Sequence, residues 1–342
     1  NLAIAQESFA YTLRALLKHS RARALVCLAR TQDYAPAQAV LAMKAHLPSL
    51  EHVIALGEAP QGAVGYALLA ASDAALPNDL APAPADPLLL LYTSGTSASP
   101  KAVLQTHQAV LGNARLGAPE HGIGAGDVLL SAAPFSHLFG LYSFHLAASV
   151  GAASLLLPAF TPADLAQAIA RGRPSVLFAG PAHLAAMLKS GRLDSTDLSG
   201  IRLVICSGSA CPAELARAVA ERLRNGRFSQ LWGMTEAQAG LYTRPGDRPE
   251  LATVSVGRPS PGTEVRIASA DGSALPDGEE GELQVRGALL FPGYYGNAEA
   301  NAQAFTPDGW FRSGDLAIQD GAGNVRITGR IEGRLAEMPS DR

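Results

Sequence analysis

A chain of 342 residues, 48% of them apolar and 17% charged, buries too much for one small core and is expected to divide into subdomains. Its formal charge of −3, with no Lys/Arg block, zinc spacing or repeat, excludes a nucleic-acid binder. No apolar run reaches the ~18 residues of a membrane span, and the three cysteines, Cys27, Cys206 and Cys211, form no CxxC pair, which favours reduced thiols in a cytoplasmic protein. The opening Asn-Leu-Ala-Ile has neither an initiator Met nor a signal-peptide pattern, so the chain reads as an excerpt or a processed product.

In chain order, apolar spacing predicts a helix over residues 8–18, a strand over 24–28, a helix over 35–46 and a strand over 52–56. Strands and helices alternating at this interval imply βαβ units and a mostly parallel sheet. Residues 73–87, rich in Pro, Ala and Asp, read as a connector. The run Leu88-Leu89-Leu90-Leu91 predicts a fully buried strand, followed by Tyr92-Thr93-Ser94-Gly95-Thr96-Ser97-Ala98-Ser99-Pro100-Lys101. Hydroxyls, backbone N–H groups and a lysine in one loop can converge on a polyphosphate. It is not a P-loop, since no glycine precedes Lys101 and no Ser or Thr follows it.

Residues 103–115 show helical spacing, and 128–131 form a strand that delivers Pro134-Phe135-Ser136-His137. A histidine beyond a strand end stands where open α/β sheets bind ligands. Helices are expected over 163–170 and 183–189, and strands over 175–178 and 203–206. The last of these runs into Ser207-Gly208-Ser209-Ala210-Cys211-Pro212, small residues that let a flat ring approach the backbone. Gln230-Leu231-Trp232-Gly233-Met234-Thr235-Glu236 offers an aromatic face, a hydroxyl, and a carboxylate for Mg²⁺. From about residue 254 short alternating strands with Asp-Gly turns predict a small antiparallel barrel. Asp315, within Gly309-Trp310-Phe311-Arg312-Ser313-Gly314-Asp315, can accept from both hydroxyls of a ribose.

These motifs and their order resemble the adenylate-forming enzymes: acyl-CoA synthetases, luciferases and peptide-synthetase adenylation domains. In that family the loop reads roughly Thr-Ser-Gly-Thr-Thr-Gly-x-Pro-Lys-Gly, and Ala98 and Ala102 here replace glycines. The resemblance implies an α/β fold with two packed, mostly parallel-sheet subdomains (1–160 and 161–245), a small antiparallel β-barrel (246–335) and a hinge tail (336–342). It implies that Thr93, Ser94, Gly95, Thr96, Ser97 and Lys101 hold phosphates, and that Gly208, Ser209 and Ala210 meet adenine. Gln230, Trp232, Gly233, Met234 and Ile327 would complete the nucleotide site, with Thr235 at the α-phosphate and Glu236 on Mg²⁺. Asp315 becomes the ribose ligand, and Arg330 approaches the ribose and phosphate side. Phe135, His137, Ser209 and Gly233 would line the acid pocket, and Ala237, Ala239 and Gly240 would leave room in it for a ring or a medium chain.

The implied reaction joins a carboxylic acid to ATP, giving an acyl-adenylate and pyrophosphate, and then transfers the acyl group to coenzyme A. Catalytic roles fall by resemblance on Lys101, His137, Thr235 and Glu236. Glu332 stands at the family's hinge position, and the family's C-terminal domain, with its catalytic lysine, is expected to be missing; little turnover would follow. An acyl-AMP ligase loading a carrier protein, and a non-catalytic nucleotide-binding protein, stay open as alternatives, as do monomer and homodimer. An NAD-binding Rossmann enzyme is excluded, because no GxGxxG follows the first strand.

Overall fold

The computed structural model describes residues 6–75, 81–93 and 101–331. They divide into two compact units, one ending at Ala81 and one beginning at Pro82. The junction falls inside the Pro/Ala/Asp-rich connector read from the sequence.

In the first unit, α1 (Gln6–Ser20), β1 (Ala24–Leu28), α2 (Pro36–Met43), β2 (His52–Leu56), β3 (Val64–Gly65) and α3 (Tyr66–Ala70) alternate as expected. Pro36 stands at the first helical position of α2, where its missing N–H costs nothing. The three strands form a parallel sheet in the order β1-β2-β3, with Val26 opposite Ile54 and Ile54 opposite Val64. Leu17, Val40, Leu47, Leu50 and Val53 make its core.

The second unit opens differently from the sequence expectation. β4 (Pro87–Thr93) turns back into an antiparallel partner, β5 (Lys101–Thr106), and only then does α4 (His107–Glu120) begin. Val103 and Gln105 are both fully buried two residues apart, so a period of two prevails over the helical spacing read from Val103. Thr106 ends the strand and caps the helix, its hydroxyl accepting from the Ala109 N–H at 3.1 Å. β4 is half-buried and not fully buried, because it is the edge of its sheet.

A seven-stranded sheet forms the centre of this unit. Its strands are β6 (Val128–Ser131), β7 (Ala153–Leu155), β8 (Val176–Ala179), β9 (Leu203–Cys206), β10 (Arg227–Met234), β11 (Gln238–Tyr242) and β12 (Arg258–Pro259). The order is β12-β11-β10-β9-β8-β6-β7, parallel from β7 to β10 and antiparallel beyond. α5 (Leu138–Val150), α6 (Pro162–Gly172), α7 (Pro181–Lys189), α8 (Arg192–Ser195) and α9 (Ala213–Ala220) lie in the connections. Neighbouring side chains on one strand enter opposite cores: Leu130, Leu177 and Val204 join one, and Leu129, Phe178 and Ile205 the other. Burial on both faces explains why these strands read as continuous apolar runs. Each such side chain contributes about 1.5–3 kcal/mol. β6 and β7 pair on one side of residue 160 and β8 on the other, so this sheet runs through the divisions expected at 160 and 245.

After the short helix α10 (Leu251–Val254) the chain becomes antiparallel, as its turns predict. β13 (Thr263–Ala268), β14 (Glu280–Gly287), β16 (Phe311–Gln319) and β17 (Val325–Arg330) form one sheet in that order, while β15 (Gly293–Tyr294) pairs with β5. Gly272 and Gly278 take φ of 90° and 88° in the Asp-Gly turns. Val103, Phe291, Tyr294 and Phe311 share one core that joins the two sheets. Among the described residues the expected barrel is thus two antiparallel sheets around common side chains, without a closed hydrogen-bonded ring. No helix among them is long and apolar enough to cross a membrane.

Candidate functional site

A cleft of about 740 Å³ opens beyond the carboxyl ends of β9 and β10. Its size lies in the range of small-molecule sites, about 300–1,000 Å³. One wall is the turn after β9, another the end of β10, a third the segment following α10, and the fourth Asp315 and β17. Ten residues singled out in the sequence line it together: Gly208, Ser209, Ala210, Gln230, Trp232, Gly233, Met234, Asp315, Ile327 and Arg330.

Asp315 is held from two sides. The Trp232 indole N–H donates to Oδ2 at 2.7 Å, and Arg330 Nη1 donates to Oδ1 at 2.8 Å. The Asp315 N–H donates to the Ser313 hydroxyl at 3.0 Å, which itself donates to the Leu283 carbonyl at 2.6 Å. Trp232 and Asp315 are each only 7% exposed, so this charge-assisted pair is desolvated. The Trp232 ring lies against Gly240, where a Cβ would come within 2.8 Å of it. The space that Gly240 leaves is therefore filled by Trp232, a correction to its expected place in an acid pocket.

Thr235 and Glu236 occupy the turn between β10 and β11; the pairing of these strands has a bulge at Trp232/Gly233, and Gln238, the first residue of β11, is left-handed at φ 58°. A Cβ on Gly233 would meet the Gln238 carbonyl at 2.2 Å, so only glycine fits. Side chains from elsewhere hold the turn. Gln105 Nε2 donates to the Thr235 carbonyl at 2.5 Å, and Gln238 Nε2 donates to Gln105 Oε1 at 2.6 Å. Asn113 on α4 pairs with both backbone groups of Ala239, at 3.2 and 3.3 Å.

Glu236 is 6% exposed and its Oε1 accepts from the Tyr294 hydroxyl at 2.9 Å. Burial pushes its carboxyl above the usual range, opposed by that hydroxyl and by the charges of Lys101 and Arg330. Lys101 Nζ sits 5.0 Å above the Tyr294 ring centroid, so lysine, tyrosine and glutamate follow one another.

Three comparisons bear on this arrangement. The family model of AMP-binding enzymes matches residues 4–295. The chain belongs to that family. It is 35% identical over 281 residues to the indoleacetate–CoA ligase of Aromatoleum aromaticum, covering 81% of this chain and 54% of that one. To the salicyl-AMP ligase / salicyl-S-ArCP synthetase of Mycobacterium tuberculosis it is 36% identical over 304 residues, 88% of this chain and 53% of that one. The crystal structure of the anthranilate CoA ligase AuaEII in complex with anthranoyl-AMP superposes with a TM-score of 0.83 at 27% identity, covering 96% of this chain and 62% of that one. The chain spans about half the length of the curated relatives it matches.

In this member of the family, Thr93 ends β4 directly opposite Lys101 on β5, while Ser94, Gly95, Thr96 and Ser97 lie outside the described residues. Phe135 and His137 are exposed at the start of α5, Phe135 packing on Phe144 at 5.8 Å, and neither lines the cleft. Thr235 and Glu236 follow Met234 directly along the chain but do not line it either. Among the described residues no group of three His, Cys, Asp or Glu side chains is placed to hold a metal. Mg²⁺ bound with a nucleotide needs fewer protein ligands, one or two carboxylates beside phosphate and water oxygens. A single buried carboxylate, Glu236, near the cationic Lys101 fits that chemistry.

Gln105, Asn113 and Tyr294 were missed by sequence reasoning. Gln105 left a trace, a polar residue at a core position between Leu104 and Thr106. Tyr294 gave none, because its partner Glu236 is 58 residues away.

Proposed function

We propose that this chain binds ATP and a carboxylic acid and carries out AMP-forming acid activation with little turnover, the acyl group being passed on to the thiol of coenzyme A. The observation that carries the reading is the cleft itself: small backbone at Gly208–Ala210 on one side, and on another a buried Asp315 whose two oxygens are already oriented by Trp232 and Arg330.

In this reading adenine lies against the Gly208–Ala210 backbone and the ribose hydroxyls donate to Asp315. The Thr235 hydroxyl and Lys101 face the phosphates together with the loop that includes Ser94, Gly95, Thr96 and Ser97. Glu236 would hold Mg²⁺ here, and the ion would supply charge neutralisation. The acid carboxylate attacks the α-phosphorus and pyrophosphate leaves. Thr235, fixed through its backbone by Gln105, and Lys101 act by positioning and by countering charge on the transferring group. Burial of Glu236 and Asp315 strengthens each of these interactions.

The acid is proposed to be aromatic, in keeping with the indoleacetate, salicyl and anthraniloyl relatives. The likeness to a salicyl-S-ArCP synthetase supports a second acceptor, a carrier-protein thiol, with the first half-reaction unchanged. Acid-dependent exchange of labelled pyrophosphate into ATP, run over indoleacetate, salicylate, anthranilate and medium-chain alkanoates, tests the proposal. Slow exchange is expected with the aryl acids, together with binding of an acyl-adenylate mimic. Exchange with alkanoates alone would overturn the choice of acid. A folded chain that neither exchanges pyrophosphate nor binds an acyl-adenylate mimic would overturn the reading itself.

A further inference from the structure

Tyr294, whose hydroxyl donates to Glu236 Oε1, is itself held at both backbone and ring. Its N–H donates to Asn301 Oδ1 at 2.6 Å, and its carbonyl accepts from Asn301 Nδ2 at 3.0 Å. Asn301, on α11 (Ala298–Ala304), comes this close because Gly293 has no side chain; a Cβ there would stand 2.9 Å from Oδ1. Tyr294 pairs with Val103 across β15 and β5, and the Tyr295 N–H donates to the Ala102 carbonyl at 2.8 Å. The Tyr294 ring meets Phe291 edge-on, centroids 5.0 Å apart. Phe291 in turn donates its N–H to the Glu236 carbonyl at 2.9 Å. Residues 291–295 thus grip Glu236 twice, at its carbonyl and at its carboxylate.

Stability does not account for the second grip. A phenylalanine would fill the same aromatic core. Replacing a buried hydrogen-bonded pair by apolar groups of like shape is close to neutral or stabilising. What the hydroxyl adds is orientation of a carboxylate already removed from water. The strand that pairs with Tyr294 also carries Lys101, two residues before Val103. One small sheet therefore sets where the lysine and the carboxylate stand relative to each other.

We propose that Tyr294 is a positioning residue for Glu236, its hydroxyl holding Oε1 so that the carboxylate is preset for the Mg²⁺ of a bound Mg·ATP. This rests on the nucleotide reading above. Tyr294 acts through Glu236, so its effect belongs to the metal-loaded nucleotide and not to the nucleotide alone. Losing a hydrogen bond that orients a metal-binding side chain costs about 10–100-fold in metal affinity.

The test is calorimetric titration of the full chain with ATP, once in excess Mg²⁺ and once in EDTA, with folding checked by circular dichroism. Tyr294→Phe keeps the ring beneath Lys101 and loses only the hydroxyl. Wild type should bind ATP more tightly with Mg²⁺ than without. Tyr294→Phe should bind Mg·ATP about tenfold more weakly, while its metal-free affinity stays within about twofold of wild type. Asn301→Ala keeps the hydroxyl but frees the backbone that aims it. It should lose Mg·ATP affinity in the same metal-dependent way, and it decides the question if Tyr294→Phe does not fold. A purely structural role would weaken both titrations alike, or lower Tm and leave both unchanged. Either result, or wild type that binds ATP equally with and without Mg²⁺, would overturn the proposal and leave the nucleotide reading standing. Folded wild type that binds ATP in neither condition would overturn both.

Discussion

The indole N–H of Trp232 donates to Asp315 at 2.7 Å across 83 residues of sequence, joining the last strands of the central sheet to the antiparallel part. The same carboxylate receives Arg330, so both oxygens are oriented before any ligand arrives. Trp232→Phe keeps a ring beside Gly240 and removes only the donor. A hydrogen bond to a charged group is worth about 1.5–3 kcal/mol, about tenfold or more in affinity. Titration should show Trp232→Phe weakened for ATP by about that factor. It should also discriminate less against 2′,3′-dideoxy-ATP, while wild type discriminates strongly.

Gly240→Ala tests the same geometry from behind. Its Cβ would come within 2.8 Å of the Trp232 ring, which belongs to a packed core and must shift to admit it. Overpacking of this kind costs about 1–3 kcal/mol. A lowered Tm is expected, together with weaker ATP binding, although Gly240 itself does not line the cleft.

Glu236 makes stability depend on pH. Its folded carboxyl titrates above the ordinary value because it is buried, so the folded state binds more protons than the unfolded one between the two values. Stability contributed by the protonated form is present below the unfolded value and lost as pH rises through the folded one. Glu236→Gln should therefore raise Tm at pH 7, with the gain shrinking toward pH 4, and should lose Mg·ATP binding.

His121 acts with the opposite sign. Burial, aided by the charge of Arg244, pushes its imidazole down to about 3, and its Nε2 meets the Tyr142 hydroxyl at 3.2 Å. The unfolded state takes up the proton first as pH falls from the ordinary histidine value of about 6.5. Wild-type Tm should drop between pH 6.5 and pH 4, and His121→Gln should flatten that decline. A profile equally steep in the variant would contradict this assignment.

Much of this was legible in the sequence. The runs Ser-Val-Leu-Phe and Leu-Val-Ile-Cys read as strands and are strands, and the Gly208, Trp232 and Asp315 segments meet in one cleft. What escaped reading depended on distant partners. Val103 was placed on a helix because its spacing fits one, whereas pairing of β5 with β4 and β15 makes it strand. Gly240 looked like empty room because its occupant, Trp232, is eight residues away and folds back over it.

The central claim is a nucleotide site organised by Asp315 and the Thr235–Glu236 turn. Calorimetric titration of the chain with Mg·ATP, then with a non-hydrolysable acyl-adenylate mimic, tests it most directly. The account predicts saturable one-site binding of both, lost in Asp315→Ala and weakened in Thr235→Ala while both variants stay folded by circular dichroism. Wild-type protein that is folded and binds neither ligand, or an Asp315→Ala variant that binds both as tightly as wild type, would contradict it.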